Sequence, residues 1–373
     1  MNPNEREILL CAIESRLDPR HYSRIKELVG KVDPNHLLET AIREGLGSLL
    51  YKGLVSSGAI ESLSEGQRNR LESHYYGTIG FNLKLINALR DVLSRFRARG
   101  IRPLLLQGIC LLENPYGDVG LRPMSDIDLL VFPEQYMQVT SILKDQGYER
   151  DAVYPNTFRK GSISIDLHTQ IMWADRIHAR RLLLGREEER ILQRAAVTRF
   201  EDQEALRLNA CDEVFYLGLH ALKHRVNRLI WLVDIRYLVA GWGEPEWKLL
   251  FTRADELGLR KVLFIILSLL CRALDFYPPG PLRDFMKKNR LHFFERLALE
   301  RRVKKDSLPL WAPLVLFSPR EDYWGRFSFV VETLFPRSEI LRQIFITSPD
   351  LKSWQLYWKR FVQLFSRIIS RKY

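Results

Sequence analysis

Leu104-Leu105-Leu106-Gln107-Gly108, Arg122-Pro123-Met124-Ser125-Asp126-Ile127-Asp128-Leu129-Leu130-Val131 and Ser162-Ile163-Ser164-Ile165-Asp166-Leu167-His168 interrupt a chain whose pattern is otherwise helical. Side chains two apart on a strand point to the same side. If Asp126 to Val131 is a strand, Asp126 and Asp128 project together while Ile127 and Leu129 enter a core. Ser162 to His168 alternates in the same way, with Ile163, Ile165 and Leu167 on one face and Ser164, Asp166 and His168 on the other. Arg102 to Gln107 is a short apolar run ending in Gly108, the pattern of a buried strand that turns into a helix. Phe132-Pro133 stops the middle strand, and Pro133 opens a helix that runs to Gln146 and ends at Gly147. This mixture predicts a small α/β core over residues 101–205.

Two carboxylates side by side lose hydration and repel each other, so Asp126 and Asp128 call for a cation. Mg²⁺ or Mn²⁺ is the natural partner, because such ions take a few carboxylates together with phosphate oxygens and water. Asp166 repeats the device on a second strand. Adjoining strands would bring three carboxylates together, enough for two metal ions ~4 Å apart. A strand that ends at Gly108 and enters a helix presents backbone N–H groups to phosphate, and glycine allows a ligand to approach closely.

Around this core the sequence is helical. Residues 1–100 carry apolar residues at helical spacing, with Asp33-Pro34 as one helix start, Leu85, Leu89, Val92, Leu93 and Phe96 on one face of a longer helix, and Gly100 as its stop. Residues 206–373 return to helices, opening at Asn209 with Asp212 and Glu213 in the first turn and broken at Pro278-Pro279-Gly280. The expectation is an α+β fold: a small mixed-sheet core flanked by N-terminal and C-terminal helical regions. A length of 373 residues also favours more than one module.

Composition narrows the function classes. Lys and Arg total 57 against 45 Asp and Glu, a net charge of +12, which suits a nucleotide, a nucleic acid or an acidic membrane face. Cys11, Cys110, Cys211 and Cys271 form no CxxC pair, which argues against a zinc site or a disulfide framework and fits a reducing cytoplasm. The charged N-terminus does not open like a signal peptide. The longest apolar run, Val262 to Cys271, is too short to span a bilayer and reads as a buried helix. The tail from Lys352 to Tyr373 mixes Trp354, Tyr357, Trp358, Phe361, Leu364 and Phe365 with Lys359, Arg360, Arg367, Arg371 and Lys372. Its aromatic side is expected to pack onto the domain, with contact to a membrane face as the alternative.

The order LLLQG, SDIDLLV and IDLH resembles the bacterial "uncharacterised nucleotidyltransferase" family of the DNA polymerase β-like superfamily. NLKLINALRDVLSRF, LHALKHRVNRLIWLVDIRYL and LFPRSEILR are also similar to it, so the resemblance spans most of the chain. It implies metal-dependent transfer of NMP from an NTP to a hydroxyl, on a small molecule or a protein, with release of pyrophosphate. Asp126, Asp128 and Asp166 would be the catalytic and metal-binding acids, and Gln107, Gly108, Arg122 and Lys223 the nucleotide-binding residues. The alternatives are an RNA-modifying enzyme, for which no RNA-binding module is visible, and a non-catalytic scaffold. The family usually has Lys-Gly where this chain has Gln107-Gly108. Arg122 can offset the missing ammonium by binding phosphate bidentately, or else pair with a neighbouring acid. His220, Lys223 and His224 share one helix face, over the active site or in solvent. His168 is expected to be structural, or else to orient Asp166 or touch the acceptor, and Asp234 to cap or salt-bridge the helices.

Overall fold

The computed structural model describes residues 2–171, 187–304, 307–309, 311–312, 316, 323–345 and 351–369. Its centre is a seven-stranded mixed sheet in the order β3-β4-β5-β2-β1-β7-β6. The strands are β1 (Leu104–Leu106), β2 (Ile127–Leu130), β3 (Glu149–Arg150), β4 (Thr157–Lys160), β5 (Ile163–His168), β6 (Ala196–Phe200) and β7 (Gln203–Arg207). β2 runs antiparallel to β1 and parallel to β5, and β1 runs parallel to β7. Helices flank the sheet before and after it, as the α+β expectation requires.

The two faces of the sheet are apolar for different reasons. Leu105, Ile127, Leu129, Ile165 and Leu167 form one core with Leu85, Leu89, Val92 and Phe96 of the helix Glu65–Arg97 and with Val139 and Leu143 of the helix Tyr136–Asp145. Leu104, Leu106 and Leu130 point the other way, into a larger core made by the flanking helices. That larger core draws on residues from before, within and after the sheet region. Ile8, Leu37 and Leu50 from the N-terminal helices sit in it with Val214, Val233 and Leu263 from the later ones. Tyr237 Oη donates to the Ile13 carbonyl (2.8 Å), and Arg236 makes two bonds to Glu14 (2.8 and 2.7 Å), tying the same regions at their polar edge.

Local signals explain where the elements begin and end. Asp33 accepts from the Asn35 backbone N–H ahead of Pro34–Arg43, and Asn209 accepts from Asp212 ahead of Ala210–Lys223. Gly100, at φ +68°, ends the long helix where the Ile101 N–H bonds back to the Phe96 carbonyl. One boundary differs from expectation: β2 begins at Ile127, so Asp126 occupies the loop immediately before it. Its backbone is not paired in the sheet, and its carboxyl reaches the site from the strand's entrance.

The tail also differs. In the helix Ser353–Ile369, Leu356 is fully buried, but Trp354, Trp358, Phe361 and Val362 are 66%, 61%, 49% and 48% exposed. The aromatic side therefore faces outward along most of its described length. Arg371 and Lys372 lie outside the described residues, as does the Phe365 side chain.

Candidate active site

Parallel pairing of β2 and β5 sets Asp128 opposite Asp166 and Leu130 opposite His168. A cleft of about 350 Å³ opens at this seam, lined by Gln107, Gly108, Arg122, Asp126, Asp128, Asp166, His168, His220, Lys223, His224 and Trp231. Every residue expected at the site is therefore in one cleft. Asp128, Asp166 and Asp126 are each held by a neighbour: Asp128 Oδ1 by His168 Nε2 (2.8 Å), Asp166 Oδ1 by the Thr157 hydroxyl (2.6 Å), and Asp126 Oδ1 by the Ser125 hydroxyl (2.9 Å). His168 thus orients Asp128 rather than Asp166; the register places it two residue pairs beyond the Asp128–Asp166 level, on the same face.

Mutual repulsion is visible in the electrostatics. Burial, then Asp128 and Asp166, push the Asp126 carboxyl up to about 7. Asp166 is also raised, by burial and by Asp128, against the opposing pull of Thr157, His168 and Lys223. Among the described residues, no three His, Cys, Asp or Glu side chains stand together closely enough to hold a metal ion unaided. The donor set is nonetheless the hard, all-oxygen kind that suits Mg²⁺ or Mn²⁺, which commonly takes only one or two carboxylates and completes its shell with substrate phosphates and water.

The glycine turn has an unusual backbone. Gln107 takes φ 56°, ψ −133°, a conformation that favours glycine, and Gly108 starts a short helix. A Cβ on Gly108 would lie 2.3 Å from Arg122 Nη1 and 2.9 Å from Met124 Sδ. The position has no room for a side chain, and Gly108 forms part of the cleft lining. The Gln107 side chain turns to Tyr216, donating from Nε2 to Oη at 3.3 Å.

Arg122 is fixed from the other side. Its Nε and Nη2 donate to Asp234 at 2.9 and 2.8 Å, and Tyr116 Oη donates to the same carboxylate at 2.8 Å. The Arg122 side chain is 7% exposed and that of Asp234 0%. Two guanidinium nitrogens are thus spent on a structural pair, and the bidentate grip expected toward phosphate is made with Asp234. Asn82 Nδ2 donates to the carbonyls of Val119 and Arg122 (2.7 and 2.8 Å), so the loop before β2 is pinned to helices on both sides.

His220, Lys223 and His224 turn to the cleft rather than forming a solvated stripe. The rings of His220, His224 and Trp231 lie 4.6 to 5.3 Å apart. Burial, with the neighbouring His224, Lys223, Arg122 and His168, pushes His220 far below its usual range, so it is neutral there. Sequence reasoning passed over Trp231, Thr157 and Tyr216. The available signal for Trp231 was an aromatic at the start of the helix following the His220–His224 face.

A glycine turn, two acids around a strand and a third acid on its parallel neighbour accompany a family match over residues 30–275. The chain belongs to the uncharacterised nucleotidyltransferase family. No curated protein and no solved structure matches it. The match takes in most of the N-terminal helices, the whole sheet and the helices up to Asp275, so every site residue of this nucleotidyltransferase named above lies inside it.

Proposed function

We propose that the protein transfers NMP from an NTP to a hydroxyl acceptor, using Mg²⁺ or Mn²⁺. The observation that carries this reading is the placement of Gly108, Asp126, Asp128 and Asp166 in one cleft. The backbone N–H groups of the turn into the Gly108 helix would meet the phosphates, and Lys223 lines the same cleft. Asp126 and Asp128 would hold the cation, which neutralises the triphosphate and the charge that develops during transfer. Because the acids make no ready cage, the cation fits best when it arrives with the triphosphate. The aromatic wall of His224 and Trp231 gives the base a flat surface to lie on.

In the transfer the acceptor oxygen bonds to the α-phosphorus. The bond from that phosphorus to the oxygen bridging the β-phosphate breaks, and pyrophosphate leaves with the electron pair. The acceptor's proton passes to the Asp166 carboxylate, whose raised proton affinity favours this role. RNA is the less supported acceptor, because Arg122 is committed to Asp234 and the cleft, of about 350 Å³, is a small pocket rather than an extended basic track. For location, the outward Trp354–Trp358–Phe361 stripe beside Lys352 and Lys359 supports contact with an anionic bilayer. No helix of the described residues is long and apolar enough to cross one.

The test is incubation with each α-labelled NTP, Mg²⁺ or Mn²⁺, and host lysate fractions. Label should enter a small-molecule or protein fraction, and Asp126→Asn with Asp128→Asn should abolish it. Labelling that survives the double variant would sink the assignment.

A further inference from the structure

The cleft does not end at Asp166. A second cavity, of about 290 Å³, continues from it, and Tyr154, Thr157, Asp166, His168 and Lys223 line both. Gly108, Asp126 and Asp128 line only the first. The far wall of the second comes from Arg337 and the helix Ser338–Phe345, through Glu339, Ile340 and Gln343. Leu341 of that helix is fully buried and Arg342 Nη2 donates to the Leu351 carbonyl (2.7 Å), so the wall is seated rather than loose.

We infer that this second cavity is the acceptor pocket, and that the acceptor is a small hydroxyl compound of monosaccharide or amino-acid size. The inference rests on the nucleotidyl-transfer reading. A two-substrate transfer needs both reactants to meet at one group, and Asp166 is the only one of the three acids shared by the two cavities. The lining mixes Pro155, Leu167 and Ile340 with Asn156, Gln343 and charged groups, the composition of a small-molecule pocket. Its volume equals that of roughly ten liquid waters, far too little for a folded polymer. An RNA strand would also need cations along an extended track, whereas in this small cavity Lys223 and Arg337 are matched by Asp166 and Glu339. The helix Ser338–Phe345 lies beyond the matched residues 30–275, so the acceptor side is completed by a later part of the chain.

The experiment uses the full chain and measures pyrophosphate release from Mg²⁺-NTP. The added probes are monosaccharides, aminocyclitols, L-serine and L-threonine, with tRNA and an unfolded polypeptide as separate arms. Small compounds should stimulate release by the wild type. Ile340→Trp fills the cavity and should lower that stimulation at least tenfold while keeping the melting-temperature rise that Mg²⁺-NTP produces. Glu339→Lys, at an exposed position that cannot disturb the core, should raise the acceptor KM with little change in kcat. The pocket is refuted if Ile340→Trp and Glu339→Lys respond to the probes as wild type does, if tRNA or polypeptide alone stimulates, or if no small compound does. Absence of pyrophosphate release by the wild type in every arm would instead remove the transferase reading, and the pocket with it.

Discussion

Asp234 carries more of the site than its position suggests. It is buried, accepts three hydrogen bonds from Arg122 and Tyr116, and lies on the helix Ile230–Leu238, outside the sheet. A buried pair of this kind is not a large net source of stability, but removing one member leaves the other charge uncompensated, at about 3–5 kcal/mol. Asp234→Asn should therefore lower stability by about that amount in guanidinium denaturation, and a loss below about 1 kcal/mol would show that water reaches Arg122. The pair was only half legible: Arg122 stands out beside SDIDLLV, yet its partner is 112 residues away with no local signal joining them. Gln107 poses the opposite case, a residue whose absent charge is read directly from sequence. Gln107→Lys would bring an ammonium to the cleft wall, so NTP affinity should rise several-fold at low salt and the gain should shrink as salt is added. Unchanged affinity in a titration would mean that the side chain serves Tyr216 alone.

Strands in the core announce themselves by alternation because one face is dry. β2 and β5 are legible for that reason, and with them Asp128 and Asp166. β6 and β7 are not, since along this edge hairpin only Ala205 is buried and the alternation has no apolar partner to mark it. The helix Ala210–Lys223 was legible from Asn209 onward, but not the fate of its first-turn acids. Asp212 is buried between Arg194 (2.9 and 2.7 Å) and Arg253 (3.1 Å). Glu213 is 3% exposed, with Arg207 3.4 Å away, and burial pushes its carboxyl up to about 7 despite that neighbour. A raised carboxylic acid binds its proton more tightly folded than unfolded. Stability is then greatest below the unfolded value of 4.5 and declines as pH rises through about 7, by roughly 3 kcal/mol in the limit. Glu213→Gln should flatten the fall in denaturation midpoint between about pH 5 and about pH 8. An equally steep fall in the variant would assign the pH dependence elsewhere.

Across the whole molecule the net charge of +12 is spread widely, but the tail concentrates it without opposition. From Lys352 to Tyr373 there is no Asp or Glu. In the helix Ser353–Ile369, Trp354, Trp358, Phe361 and Val362 follow at i, i+4, i+7 and i+8, so they form one stripe, and it is the exposed one. Arg360 is used internally, its Nε donating to the Leu334 carbonyl at 2.8 Å, whereas Lys352 and Lys359 remain exposed. Indole rings settle at the headgroup level of a bilayer, and each nearby lysine adds about 1 kcal/mol on an anionic surface. Vesicles of phosphatidylserine and phosphatidylcholine should therefore co-sediment the protein, phosphatidylcholine alone should do so weakly, and added salt should reduce the difference. Trp354→Ala with Trp358→Ala should weaken binding at least about tenfold. If the double variant binds the vesicles unchanged, the stripe is not the contact. If the wild type ignores vesicles but dimerises in the ultracentrifuge, and the double variant does not, the stripe is covered by a second copy of the chain rather than by lipid.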